Sequence, residues 1–181
     1  MTQPPVDSGV FPGSGAPARA KTLAKAKHPF ADAEYQARLK NARQALDALG
    51  ADSLMIFDGG NISYLCGYMG ESSYVPQALV IDPRETFPNL YMRRQDEPAG
   101  MHFSFMPNDH VFGYPEALIG HPEKSPFSFI FDAVVAQGLT SVAMEFDSMS
   151  GETLKFVEAH YPNLRLVDAS GLIHRLRLIK S

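Results

Sequence analysis

Apolar side chains at Tyr35, Leu39, Ala42, Leu46 and Leu49 recur at steps of four and three, so they share one face of a helix. Asp32 stands where that helix would be capped, and Gly50 supplies the left-handed residue that ends it. The period then changes. Ser53-Leu-Met-Ile-Phe57 is a continuous apolar run of strand length, and Asp58-Gly59-Gly60 turns the chain at the strand's C-terminal edge. Asn61 reads as the cap of a short helical segment carrying Ile62, Tyr64, Leu65 and Tyr68. Residues 77–81 and 89–92 read as two strands joined by Asp82-Pro83-Arg84-Glu85, an antiparallel hairpin. Further on the pattern predicts a helix over 127–137 closed by Gly138, a strand over 141–146, and a helix over 152–160 closed before Pro162. A strand over 164–167 follows, then a last helix capped by Ser170 with Leu172, Ile173, Leu176 and Ile179 on one face.

Strands that alternate with helices belong to a parallel sheet covered by helices, and the hairpin makes that sheet mixed. The fold class expected is therefore α/β: a single domain over 31–181 with a mixed β-sheet flanked by helices. An irregular arm over 1–30 precedes it, holding five prolines and three glycines without a sustained hydrophobic period. The arm is either flexible or draped over a partner. At the other end, Leu176-Arg-Leu-Ile-Lys180-Ser181 reads as a helical turn with no Gly or Pro to close it. The expectation is that the sequence is severed there and that a partner domain is missing.

With 181 residues, 45% of them hydrophobic, the chain can bury a real core. Its net charge of −4 supplies no basic field for nucleic acid, and no apolar run approaches a membrane span, so neither is expected as a partner and a cytoplasmic location is expected. The single cysteine, Cys66, lies in an apolar setting and reads as a small buried hydrophobe rather than a nucleophile. The six histidines are scattered, with no His-x-x-x-His pair for one helix face to present, and no metal site is expected within this chain. No phosphate-cradling glycine loop and no nucleophile elbow appear. No catalytic residue is assigned.

Two stretches are chemically richer. In residues 67–77 small residues let the backbone approach something closely, while Glu71, Ser72, Ser73, Tyr74 and Gln77 offer donors and acceptors. This is either a recognition loop or a polar surface loop with one packed tyrosine. Arg93 and Arg94 follow a strand directly. They can hold a carboxylate in a fork, or Arg94 can form a structural ion pair with Asp96 or Glu97.

Tyr35-x-x-Arg38-Leu39, Leu54-Met-Ile-Phe-Asp58 leading into Asn61-Ile-Ser-Tyr64-Leu65-Cys66-Gly67-Tyr68, and the closing Arg177-Leu-Ile-Lys-Ser181 together resemble the N-terminal domain of the creatinase and prolidase (Xaa-Pro peptidase, pita-bread hydrolase) family. Tyr91-x-Arg93-Arg94-x-Asp96, Tyr114-Pro115 and Met144-Glu145 are most similar to its ectoine hydrolase-like members. The likeness runs from about Phe30 to Ser181. It departs from the ectoine hydrolase pattern where aromatic residues give way to Glu71 and Ser73, and where Pro76 replaces a histidine, which leaves the substrate open.

The resemblance implies a second, pita-bread domain carrying two divalent metal ions, absent from this chain, and a homodimer in which the N-terminal domain covers the partner subunit's active site. It also implies a small peptide or amide substrate, touched by Glu71, Ser72, Ser73, Tyr74, Gln77, Arg93 and Arg94. The chain by itself is then expected to be inactive, a substrate-capping and dimerisation domain. The alternative is a stand-alone ligand-binding or protein-interaction domain with no catalytic half. A third reading, an independent enzyme using Glu145 or Asp147 with a histidine from elsewhere, lacks a recognisable base and nucleophile arrangement.

Overall fold

The computed structural model describes residues 23–70, 72, 74–121 and 123–179. Six strands form one sheet in the order β4-β3-β2-β1-β5-β6: β1 Ser53–Ile56, β2 Ala78–Ile81, β3 Asn89–Arg93, β4 Val111–Tyr114, β5 Ser141–Met144 and β6 Arg165–Asp168. β2 is antiparallel to both its neighbours, with Leu54 opposite Ile81 and Leu79 opposite Leu90. The pairings of β3 with β4, β1 with β5 and β5 with β6 are all parallel. The sheet is mixed, as the hairpin and the alternating rhythm predict. One consequence governs the rest. Since β2 alone is reversed, the C-terminal ends of the other five strands and the start of β2 lie along a single edge, where α/β sheets place their ligands.

β1, β2 and β5 are buried on both faces, which is why they read as continuous apolar runs rather than as alternation. Leu54, Ile56, Leu79, Ile81, Leu90 and Met92 point to one face, packing with α1 (Asp32–Leu49), α2 (Gly59–Cys66), α3 (Glu97–Phe103) and α6 (Leu172–Arg177). Met55, Val80, Tyr91, Val142 and Met144 point to the other, against α4 (Pro126–Ala136) and α5 (Gly151–His160). The period of two in side-chain direction thus splits each strand between two cores. Tyr35, Leu39, Ala42 and Leu46 are all buried, as the helical spacing of α1 requires, and Arg38 is buried beside them.

Several element ends differ from expectation. Ala31, not Asp32, is the N-cap of α1; Asp32 lies inside the first turn, where its charge suits the helix dipole. Asp58 caps α2 by accepting the Asn61 N–H at 2.7 Å, so Gly59 and Gly60 form the first helical turn instead of a loop. Ser170 does not cap α6. Its hydroxyl binds Asp168 at 2.5 Å, and Gly171 in the left-handed region (φ +67°) takes the cap position. That helix ends at Arg177, so Ile179 leaves the apolar face and is 80% exposed. Two elements carry no expectation at all, α3 and β4.

Of the arm, residues 1–22 lie outside the described residues. Its last part runs against α3: the Ala26 N–H donates to the His102 carbonyl at 2.8 Å, Lys25 Nζ to the Met101 carbonyl at 2.5 Å and Asn108 Nδ2 to the Leu23 carbonyl at 3.1 Å. Among the described residues no helix is long and apolar enough to cross a membrane.

At the sheet edge opposite the strand C-termini, the Asp52 carboxylate accepts the Thr140 N–H, the Thr140 hydroxyl and the Ser141 N–H at 2.7–3.0 Å. Those hydrogen bonds, from Thr140 first, lower its pKa from 3.8 to about 2. Because the folded value lies below the unfolded one, the stabilisation is complete above pH 3.8 and lost as pH falls through about 2. Asp52→Ala is expected to cost about 1 kcal/mol at neutral pH, the carboxylate being exposed. Urea melts should show the wild-type and variant curves converging below that window; a pH-independent gap would contradict the assignment.

Candidate functional site

The loop that leaves α2 begins at Gly67, whose left-handed backbone (φ +80°) closes the helix with its N–H on the Ser63 carbonyl. A Cβ there would meet the Tyr35 hydroxyl at 2.9 Å, so glycine is required for both reasons. Gly70 is packed equally closely, its hypothetical Cβ 2.2 Å from the Tyr68 hydroxyl. The close approach predicted for this loop is therefore made, at Gly67 and Gly70, to two tyrosines of the same domain. Tyr68 is buried, and that burial raises its pKa. The Ser72 hydroxyl accepts the Val75 N–H at 3.3 Å, and the Pro76 carbonyl accepts the Tyr114 hydroxyl at 2.8 Å. Tyr114 is fully buried, which raises its pKa as well.

Tyr74 stands apart from this packing. Its ring is 71% exposed, yet its hydroxyl receives a hydrogen bond of 2.5 Å from Arg93 Nη1, and the Arg93 guanidinium carbon lies 5.6 Å from the ring centroid. Arg93 also grips Asp96 with two bonds, Nε to Oδ2 at 3.2 Å and Nη2 to Oδ1 at 2.9 Å, and approaches Glu116 at 3.8 Å. The Asp96 bonds, ahead of the other influences, raise the Arg93 pKa. The ion pair here is thus Arg93 with Asp96. The expected pair from Arg94 is not the one formed, because Arg94 is exposed beyond the strand end, where its N–H donates to the Tyr114 carbonyl at 3.1 Å. Of the candidate residues the structure brings together Tyr74 and Arg93 at the surface and turns Ser72 and Gln77 inward. Glu71 and Ser73 lie outside the described residues.

Further along the same edge sits a carboxylate that the sequence offered as a catalytic group. Glu145, directly after β5, is 1% exposed. Its Oε2 accepts the Phe57 and Asp58 N–H groups at 2.8 and 3.0 Å, and its Oε1 accepts Asn61 Nδ2 at 2.5 Å. Asn61 Oδ1 in turn accepts Arg177 Nη1 at 2.7 Å, and Arg177 lies 3.6 Å from Asp58. Burial raises the Glu145 pKa, opposed by these donors. The group is walled in and fully engaged, its bonded partners being two backbone N–H groups and the Asn61 amide. Asp147, in the 3₁₀ turn that follows, is exposed and accepts from Ser148 at 3.5 Å.

Cys66 is fully buried and its thiol is pushed up to about 12 by that burial, the behaviour of a core residue. His102 Nδ1 meets the Ala24 carbonyl and His110 Nδ1 the Asn89 side chain, at 2.5 and 3.0 Å. His160 lies 2.8 Å from the Phe156 carbonyl within its own helix. Among the described residues no three His, Cys, Asp or Glu side chains gather where they could hold a metal ion.

A family model described as the creatinase/prolidase N-terminal domain matches residues 38–179. The chain belongs to that family. An uncharacterized hydrolase/peptidase of Sinorhizobium fredii, y4tL, is 34% identical over 160 residues, 87% of this chain and 41% of that protein. The ectoine hydrolase of Halomonas elongata is 28% identical over 158 residues, 84% of this chain and 39% of its own length. A proline dipeptidase structure from Streptococcus pneumoniae superposes with a TM-score of 0.64 at 20% identity, covering 78% of this chain and 98% of that one, which shows the shared fold. The chain spans about two-fifths of the length of the curated relatives it matches. Within this creatinase N-terminal-type domain, two segments that carry the sequence resemblance, around Asn61 and Arg177, are bonded to each other.

Removing the Glu145 carboxylate strands three N–H donors. Glu145→Ala should cost about 3 kcal/mol or more in urea unfolding, and Glu145→Gln, which keeps the shape but loses one accepting oxygen, about 1–2 kcal/mol. Equal and negligible effects would show that the network carries no stability.

Proposed function

We propose that this domain is the substrate-capping and dimerising part of a metal-dependent hydrolase of the Xaa-Pro peptidase or amidohydrolase kind. The observation that carries the reading is the pairing of exposed Tyr74 with Arg93 at the strand-end edge. A large aromatic ring held in water by a guanidinium that is itself clamped by Asp96 is pre-set to meet something beyond the domain. Membership of the family and the likeness to an ectoine hydrolase support the reaction class.

In this reading two divalent ions, held by residues of a catalytic half outside this sequence, would supply activated water. The task of this chain is orientation and exclusion of water. Tyr74 closes over a small peptide or amide substrate in the partner subunit of a homodimer, and Arg93 fixes the angle of the ring. Arg94 follows Arg93 in sequence and is assigned to the rim of the same edge. Arg93 presents no free fork to a carboxylate, because Asp96 already occupies it.

Tyr74→Ala in the longer enzyme should lower kcat/KM about tenfold and leave its metal content and melting temperature unchanged, since the side chain is exposed and outside both cores. Tyr74→Phe, which loses only the bond to Arg93, should fall between. Kinetics indistinguishable from wild type in both variants would end the capping role.

A further inference from the structure

On the α1–α2–α6 side of the sheet a groove of about 440 Å³ opens between Phe30, Tyr35, Arg38, Tyr64, Met69 and Ile179. Its cations are spent inside the domain. Arg38 donates to Glu34 and to the Tyr64 carbonyl, both at 3.0 Å, with its guanidinium 4.2 Å from the Phe30 ring centroid and 4.5 Å from that of Tyr64. Arg177, which also lines the groove, is bound to Asn61. What remains without a partner is the apolar rim: Phe30, Met69 and Ile179 are 46%, 69% and 80% exposed, and Leu178 beside them is 78% exposed. Four of the seven large exposed hydrophobic side chains among the described residues therefore gather at one place, which scattered surface residues do not do.

We propose that this groove is the seat of the catalytic domain of the same polypeptide, taking an apolar segment of that domain over Phe30, Met69, Leu178 and Ile179. The inference rests on the hydrolase-module reading above. Two observations choose this occupant over a second copy or a free ligand. The matched relatives are 34% and 28% identical across this domain yet carry more than half of their length outside it, so a covalently joined domain is what their architecture supplies. And the Asn61–Arg177 bond pins the last turn of α6 so that the chain emerges at the rim itself, with Ile179 already forming part of the wall. A segment tethered there competes at millimolar effective concentration, where a free partner must supply the whole association cost. The spent cations exclude an anion as the main ligand. Neither Tyr74 nor Arg93 lines this groove, so it is a separate surface from the capping edge.

The test uses Met69→Cys, since the native Cys66 is buried and silent to a maleimide and Met69 is exposed enough to be exchanged without disturbing the core. The label should react at least tenfold more slowly in the longer polypeptide than in the 181-residue chain, at every protein concentration. Phe30→Asp in the longer polypeptide should restore most of the rate. Equal rates in the two proteins, or a reading frame that closes after Ser181, overturn the proposal. So does protection that deepens with protein concentration, which would place a second copy in the groove. A fully reactive thiol at position 69, in an enzyme that still loses activity on Tyr74→Ala, discards the seat and keeps the capping role. A protected thiol there with normal Tyr74→Ala kinetics does the reverse.

Discussion

A carboxylate taken out of water at the end of a parallel strand must find donors or be expelled, and the arrangement of this domain turns on how Glu145 finds them. Two come from the backbone where β1 runs into α2, and the third from Asn61 in the first turn of that helix. Glu145 thereby satisfies N–H groups at and just before the helix cap and fixes the angle at which α2 leaves the sheet. Asn61 passes the constraint on to Arg177, so the direction of the last helix is coupled to a side chain in the middle of the sheet edge. Had any of these three been free, it would have been the natural candidate for chemistry. Instead the bonds among them define two surfaces whose outward groups are aromatic and apolar.

Those surfaces lie on different parts of the domain. The three-layer body, with one core on each face of the sheet, is a rigid mount. Five strand ends and the start of β2 converge on one edge, and there the side chain held out from the packing is Tyr74, braced by Arg93 and Asp96. On the α1–α2 face the unpartnered surface is hydrocarbon around Phe30, Met69 and Ile179. Glu145 and Cys66 are sealed within the packing, while Tyr74, Phe30, Met69 and Ile179 face outward.

The sequence was most legible where local periodicity decides structure. Tyr35, Leu39, Ala42 and Leu46 repeat at helical spacing and are buried, and the apolar runs at 54–56 and 78–81 read as strands and are buried throughout. The short elements were not legible. α3 has seven residues, with Pro98 and Gly100 inside it, and Val111–Tyr114 is interrupted by Gly113, so neither offers enough repeats to show a period. Caps were misplaced by one to three residues, because Asp58, Asn61 and Ser170 all have capping chemistry and only tertiary contacts choose among them. At the candidate edge the residue types pointed to seven residues, of which Tyr74 and Arg93 meet at the surface. That Arg93 rather than Arg94 takes Asp96 depends on the turn after β3. Links such as Glu145 to Asn61 and Asn61 to Arg177 span 84 and 116 positions, a separation at which one sequence carries no pairing signal.

The central claim is that the Tyr74–Arg93 edge faces a catalytic centre in another subunit. A photo-crosslinking amino acid placed at position 74 of the longer polypeptide, followed by peptide mapping of the product, measures this directly. The account predicts an inter-subunit crosslink into the catalytic half, reduced when a competitive inhibitor fills the site. Crosslinks confined to this domain, or to solvent alone, would contradict it.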